Sequence, residues 1–187
     1  MRGIKYICPV FDVSGYAEAS RNHLMSLIQR NISLTIQRIQ YEPTEKDLYG
    51  DMGNTLAQFI DKPIYYDVVI QHLTPEHFPK FKELGKVNIG FMYWETSKIP
   101  EQWVGDINDN LDAVFTVCDY TKNSLLNSGV TIPIIKVIPA MSSECFESNA
   151  TIVIPGLDNS VYKFYSIFQY TVRKNPRGLL KAYLTSF

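Results

Sequence analysis

Three short stretches carry residues that could do chemistry together. They are Ser14-Gly15 after the first apolar run, His72 at the end of DVVIQH, and Trp94-Glu95-Thr96-Ser97 after the run Val87–Tyr93. A glycine in a strand-to-helix turn lets a ligand approach the backbone and leaves the first helical N–H groups free for an anion. A flat indole beside a carboxylate and two hydroxyls suits a sugar, whose CH groups meet the ring face while its hydroxyls meet the polar atoms. Each residue also has a plain structural reading. Gly15 makes a turn, His72 caps a helix or packs, Trp94 packs under its loop and Glu95 caps the next helix. What joins the three is position. Each follows a predicted strand, and in an open α/β sheet ligands bind at the carboxyl ends of the strands, so all three are expected on one edge.

The elements that must position them alternate along the chain. Residues 3–10 read as a strand, Phe11–Gly15 as a turn, and 16–29 as a helix with Ala17, Leu24, Leu27 and Ile28 on one stripe. Ser33–Ile39 is the next strand, 40–53 a polar loop holding Pro43, Gly50 and Gly53, and 54–61 a short helix. Asp67–His72 and Val87–Tyr93 read as buried strands. Pro100 and Glu101 open a helix over 100–110. Strand 112–117 precedes helix 120–127, which Asp119 is placed to cap and Gly129 to end in the left-handed conformation. Strand 133–139 follows. Of the remaining histidines, His77 falls in a loop and His23 on the surface of the first helix. Strand and helix alternate throughout with no hairpin signal, so the fold class is α/β, a Rossmann-like doubly wound parallel sheet.

Composition narrows the function classes. The 187 residues include 18 basic and 19 acidic side chains, with 45% apolar and 20% charged residues. That balance describes an ordinary globular chain and gives no electrostatic case for nucleic acid. Cys8, Cys118 and Cys145 have no paired spacing, which fits reduced thiols and a cytoplasmic location. No run approaches the apolar length of a membrane span. Gly-x-Gly-x-x-Gly is absent after the first strand, which disfavours a dinucleotide-dependent oxidoreductase or a methyltransferase. Asp-x-Asp is absent too, which weakens a metal-dependent sugar transferase.

From Ala140 to Asn159 the chain is polar and small apart from IVIP. Tyr162–Gln169 then reads as a strand, leading into a helix over 176–187. The segments SGYAEASRN, DVVIQH, YWETSKIPEQW, DAVFTVCDYTKNSLLNSGV, PIIKVIP and FYSIFQYTVRKNPRGLLKAY follow one another across nearly the whole chain. In that order the chain resembles the group 1 (family 4) glycosyltransferases of the GT-B fold, especially those that glycosylate bacterial surface polysaccharides. WETSKIPEQW and RKNPRGLLKAY are the specific parts of the match.

The resemblance implies two Rossmann-like domains around a cleft. Residues 1–140 would form the acceptor-side domain, 141–160 a linker, and 161–187 the first βα unit of a donor-binding domain. The implied reaction moves a sugar, with retention, from a nucleotide-sugar to a glycan or lipid-linked acceptor, the latter implying at most a peripheral contact with a membrane. No metal or other cofactor is implied. Gly15 would lie near the donor phosphates, and His72 would take the catalytic position facing the donor sugar. Lys174, with Arg173 beside it, would neutralise the donor diphosphate, and Trp94, Glu95 and Thr96 would line the acceptor side. Two departures stand out. Phe168 occupies the place of the arginine usually paired with that lysine, and the family's Glu–seven residues–Glu motif is not in this sequence. Little transferase activity is therefore expected from these residues alone. The alternative is a non-catalytic carbohydrate-binding or assembly module of the same fold.

Overall fold

The computed structural model describes residues 3–40, 46–141, 155–156, 158, 160 and 162–187. Pro43, Cys145 and most of the predicted linker, including Ser142, Ser143, Ser148, Asn149, Asn159 and the run 152–154, lie outside the described residues. The chain divides into two compact units, Met1–Glu147 and Ser148–Phe187.

The first unit contains β1 (Gly3–Pro9), α1 (Gly15–Gln29), β2 (Leu34–Ile39), α2 (Gly50–Ala57), β3 (Tyr66–Gln71) and α3 (Phe78–Phe81). It continues with β4 (Val87–Phe91), α4 (Glu101–Asn110), β5 (Ala113–Thr116), α5 (Asp119–Ser128) and β6 (Ile134–Lys136). All six strands are parallel, in the order β2-β1-β3-β4-β5-β6. An isolated parallel bridge between Ile36 and Ile60 adds one further rung outside β2. The strand order reverses at β1, which pairs with β2 on one side and β3 on the other. A crevice at that reversal is where open α/β sheets hold their ligands.

Both faces of the sheet are buried, which explains the near-continuous apolar runs. Alternation along the strands sends Ile7, Val69 and Val114 to one face, where α3, α4 and α5 contribute Phe78, Ile107 and Leu125. Tyr6, Cys8, Ile70 and Phe91 point to the other face, where α1 and α2 contribute Leu24 and Leu56. The amino-terminal edge is pinned by polar groups. Lys5 Nζ meets Glu83 Oε1 at 2.6 Å, the Tyr66 hydroxyl donates to Glu83 Oε2 at 2.9 Å, and Lys86 Nζ donates to the Tyr66 carbonyl at 2.6 Å.

Several boundaries differ from the sequence reading. The short helix occupies Gly50–Ala57 rather than 54–61, preceded by a 3₁₀ turn at Lys46–Tyr49, with Gly50 at φ 52° between the two. His77, expected in a loop, lies in a 3₁₀ turn over Pro75–His77 that leads into α3, where Phe78 fills the core. The cap of α5 is Cys118, while Asp119 lies inside the helix and reaches Lys136 Nζ at 2.7 Å. Gly129 ends α5 at φ 101°, as expected. β6 is only three residues long; Pro139, within the predicted run, has no N–H to give a ladder.

In the second unit, residues 162–170 form no strand, contrary to the sequence reading. Aromatic and β-branched residues favour a strand only where a neighbour supplies the ladder, and no strand is present among the described residues of this unit. The helix is present as α6 (Pro176–Ser186). Asn175, at φ 50°, caps it by accepting from Gly178 N at 3.1 Å; a Cβ on Gly178 would sit 2.3 Å from Asn175 Nδ2. Asn-Pro-Arg-Gly is thus a helix start in which Asn175 caps, Pro176 takes the first helical position and Gly178 leaves room for the cap.

In β4, a Cβ on Gly90 would lie 2.6 Å from Leu111 Cδ1 and 2.9 Å from Phe78 Cζ. Gly90→Ala is expected to destabilise the protein by about 1–3 kcal/mol, seen as a lower urea midpoint. An unchanged midpoint would mean that Phe78 and Leu111 yield without loss.

Candidate functional site

The turn after β1 owes its shape to one buried cation. Arg21, 3% exposed, donates from Nη1 to the carbonyls of Val10 at 2.8 Å and Asp12 at 3.0 Å, and from Nη2 to Glu18 Oε2 at 2.6 Å. Its guanidinium lies 4.0 Å from the centroid of Tyr49, whose hydroxyl donates to the carbonyls of Phe11 and Asp12 at 3.1 and 2.9 Å. Every carbonyl from Val10 to Asp12 is therefore held. Ser14 then caps α1, its Oγ accepting from Ala17 N at 3.2 Å. Gly15 is the first helical residue, exposed, with nothing within 4 Å of where a Cβ would be. The fold does not require a glycine there. The space beside it is open, and the helix N-terminus points its dipole toward that space.

His72 extends β3 by one residue, its N–H donating to the Ile7 carbonyl at 2.9 Å. Alternation turns its side chain to the α1 face. The ring stacks on Phe91 with centroids 4.4 Å apart and touches the rings of Tyr6, Tyr16, His23 and Tyr93. Nδ1 lies 2.9 Å from the Tyr6 hydroxyl and 3.0 Å from Ser20 Oγ. In the tautomer whose Nδ1 accepts from Tyr6, the ring proton sits on Nε2, an atom that has no partner among the described residues. His72 is 0% exposed, so its side chain is sealed from solvent by the rings around it. Burial, helped by the neighbouring His23, lowers its pKa to about 3. Burial also raises Cys8 to about 12 and pushes Tyr6 and Tyr93 above the usual phenol value. The cluster is uncharged at neutral pH. It can offer hydrogen bonds but not a titrating acid or base.

The topology brings the three sequence-predicted stretches to one edge, because β1, β3 and β4 are neighbours. Tyr16, next to Gly15, and Tyr93, two before Glu95, both contact His72; the Tyr93 N–H donates to the Tyr16 hydroxyl at 3.2 Å. The Trp94 loop is tied down. Trp94 Nε1 and Thr96 Oγ1 both donate to the Lys98 carbonyl, at 2.7 and 2.8 Å, and Trp94 packs edge-on against Trp103. Thr121 and Ser124 of α5 donate to the carbonyls of Trp94 and Thr96. Trp94 is thus half-buried, and Glu95 and Thr96 are exposed. Arg173 and Lys174 belong to the second unit, exposed in a 3₁₀ turn just before α6.

Some participants were not anticipated. His23, expected on the surface, packs on Phe91 with centroids 4.9 Å apart. Tyr16, Ser20 and His23 follow helical spacing along one face of α1, a signal present in the sequence. Gln71, fully buried at the end of β3, has neither amide atom bonded among the described residues. Among the described residues no cluster of three metal-ligating side chains occurs, and no helix is long and apolar enough to cross a membrane. No protein-family model, curated protein or solved structure matches the chain.

The lowered His72 pKa has a definite sign. Between its ordinary value of 6.5 and about 3, the unfolded chain binds a proton that the fold excludes. The stability it protects is complete above pH 6.5 and is lost by about 1.4 kcal/mol per unit as pH falls below that. Urea midpoints should therefore decline between pH 6.5 and 5, above the main carboxylate range, and decline less in His72→Gln. Equal slopes in the two proteins would show that His72 does not carry the effect.

Proposed function

We propose that the first unit is the acceptor-side domain of a nucleotide-sugar-dependent glycosyltransferase of GT-B type, with its donor phosphates at the N-terminus of α1. The observation that carries this reading is the open space at Gly15, beside a rigid turn at the point where the strand order reverses. The leaving group of such a transfer is a nucleoside diphosphate, whose developing charge a helix N-terminus stabilises without a metal. His72 then serves as a neutral hydrogen-bond donor through Nε2, directed at a sugar hydroxyl or the departing oxygen once Tyr16 and Tyr93 move aside. The acceptor is a glycan or a lipid-linked sugar, met by Glu95 on the same edge. The glycan-binding alternative draws less support, because the Trp94 ring and N–H are engaged within their own loop.

The test is titration of the full chain with nucleoside diphosphates and their hexose conjugates. One of them should bind, and Gly15→Ala should weaken that binding by about tenfold or more while leaving the urea midpoint unchanged. Failure of every nucleotide to bind, whether or not a glycan does, or undiminished nucleotide binding in Gly15→Ala, overturns the proposal.

A further inference from the structure

Two side chains on the α4–α5 face of the sheet carry polar atoms that are unpaired among the described residues. Gln71 ends β3, and neither its Oε1 nor its Nε2 has a partner there; Thr116 ends β5, and its Oγ1 has none either. Both residues are 0% exposed. Alternation puts Gln71 on the side of Val69 and Thr116 on the side of Val114, the face opposite His72. Met92, just past β4, lies between them in strand order and is buried in the same core.

The loop from Trp94 to Ile99 covers this end of the face. Ile99 belongs to that core and Trp94 packs against it. Within the loop, Trp94 Nε1 and Thr96 Oγ1 both donate to the Lys98 carbonyl. Other bonds run to α5. Thr121 and Ser124 donate to the carbonyls of Trp94 and Thr96 at 3.0 and 2.6 Å, and the Ile99 N–H donates to Ser128 Oγ at 3.0 Å. The loop is thus braced within itself and latched to α5. Releasing the latch also frees the buried hydroxyls of Thr121 and Ser124. The groups uncovered are an amide and hydroxyls, set among Leu73, Met92 and Ile99. They carry no charge; the buried charged residues, Asp12 and Arg21, belong to the β1–α1 turn. Neutral donors and acceptors among apolar side chains match a pyranose, with hydroxyls at its rim and CH groups on its faces. An anion would find no buried cation on this face.

We propose that Gln71 and Thr116 form the floor of a subsite for an uncharged pyranose, and that the Trp94–Ile99 loop is its lid. In the closed form the floor is unpaired, which opposes closure and poises the loop to open. The transferase reading assigns neither Gln71 nor Thr116 and no moving loop. The subsite does not depend on nucleotide binding, and the two are read by separate assays.

Trp94 moves with the lid, away from Trp103, whose ring centroid lies 5.1 Å from its own. Tryptophan emission of the full chain should therefore change saturably with at least one of methyl glucopyranoside, methyl galactopyranoside and methyl mannopyranoside, and not with glycerol. Gln71→Met should weaken that binding about tenfold. It should also raise the urea midpoint, because an unpaired buried amide gives way to an apolar chain of similar length. Thr116→Val should weaken binding about fivefold without lowering the midpoint. Ser128→Ala, which removes one latch, should tighten it about threefold. The subsite is refuted if none of the three sugars binds, or if Gln71→Met or Thr116→Val binds as tightly as the parent. Unchanged binding in Ser128→Ala refutes the lid. A fall in the urea midpoint of Gln71→Met would mean that ordered water holds the amide as a structural group, and would also overturn the proposal.

Discussion

A single guanidinium, that of Arg21, organises the working edge of this molecule. A buried cation is costly unless its donors are satisfied. Arg21 meets most of that demand through Nη1 and Nη2, with the carbonyls of Val10 and Asp12 and the carboxylate of Glu18, under the face of Tyr49, while its Nε has no partner among the described residues. The exchange fixes the β1–α1 turn, and the turn fixes where α1 begins. From that start follow the cap by Ser14, the open space at Gly15, and the register that lays Tyr16, Ser20 and His23 against the end of β3.

Next to this charged clamp lies a neutral pocket of rings. His72 and Tyr93 present polar atoms that find no partner among the described residues, and burial keeps their uncharged forms. Leaving such groups unpaired opposes folding by roughly 1–3 kcal/mol each. Buried polar groups of this kind commonly mark a functional site or an ordered water. The Trp94 loop differs in kind: its indole N–H, the Thr96 hydroxyl and the carbonyls of Trp94, Thr96 and Lys98 are matched within the loop and by α5.

Arg21 and His72 also show how far the sequence could be read. Ala17, Leu24 and Ile28 define the buried stripe of α1, and Arg21 sits on that same stripe; only its charge argues for the surface. Its burial depends on backbone carbonyls from a different element, which no local pattern reveals. The sequence puts His72 at the end of a strand, and β3 stops one residue short of it; whether such a residue opens to solvent depends on what packs over it. Here Tyr16 and Tyr93 do so, from a helix and a strand end distant in sequence. The strand predicted over 162–169 failed for a related reason. Aromatic and β-branched residues state a preference, and pairing must come from elsewhere.

What the sequence determined by itself was the alternation of elements, the parallel sheet, the left-handed stop at Gly129, the helix from Pro176, and the shared edge for Gly15, His72 and Glu95. These follow from hydrophobic period, from turn and cap chemistry, and from the rule that parallel strands point their carboxyl ends one way. Only the tertiary structure decided which side chains on that edge are open, which are sealed and which are bound into loops. Those outcomes depend on desolvation and on hydrogen bonds between residues far apart in the chain, from the 11 positions between Val10 and Arg21 to the 66 between Tyr6 and His72.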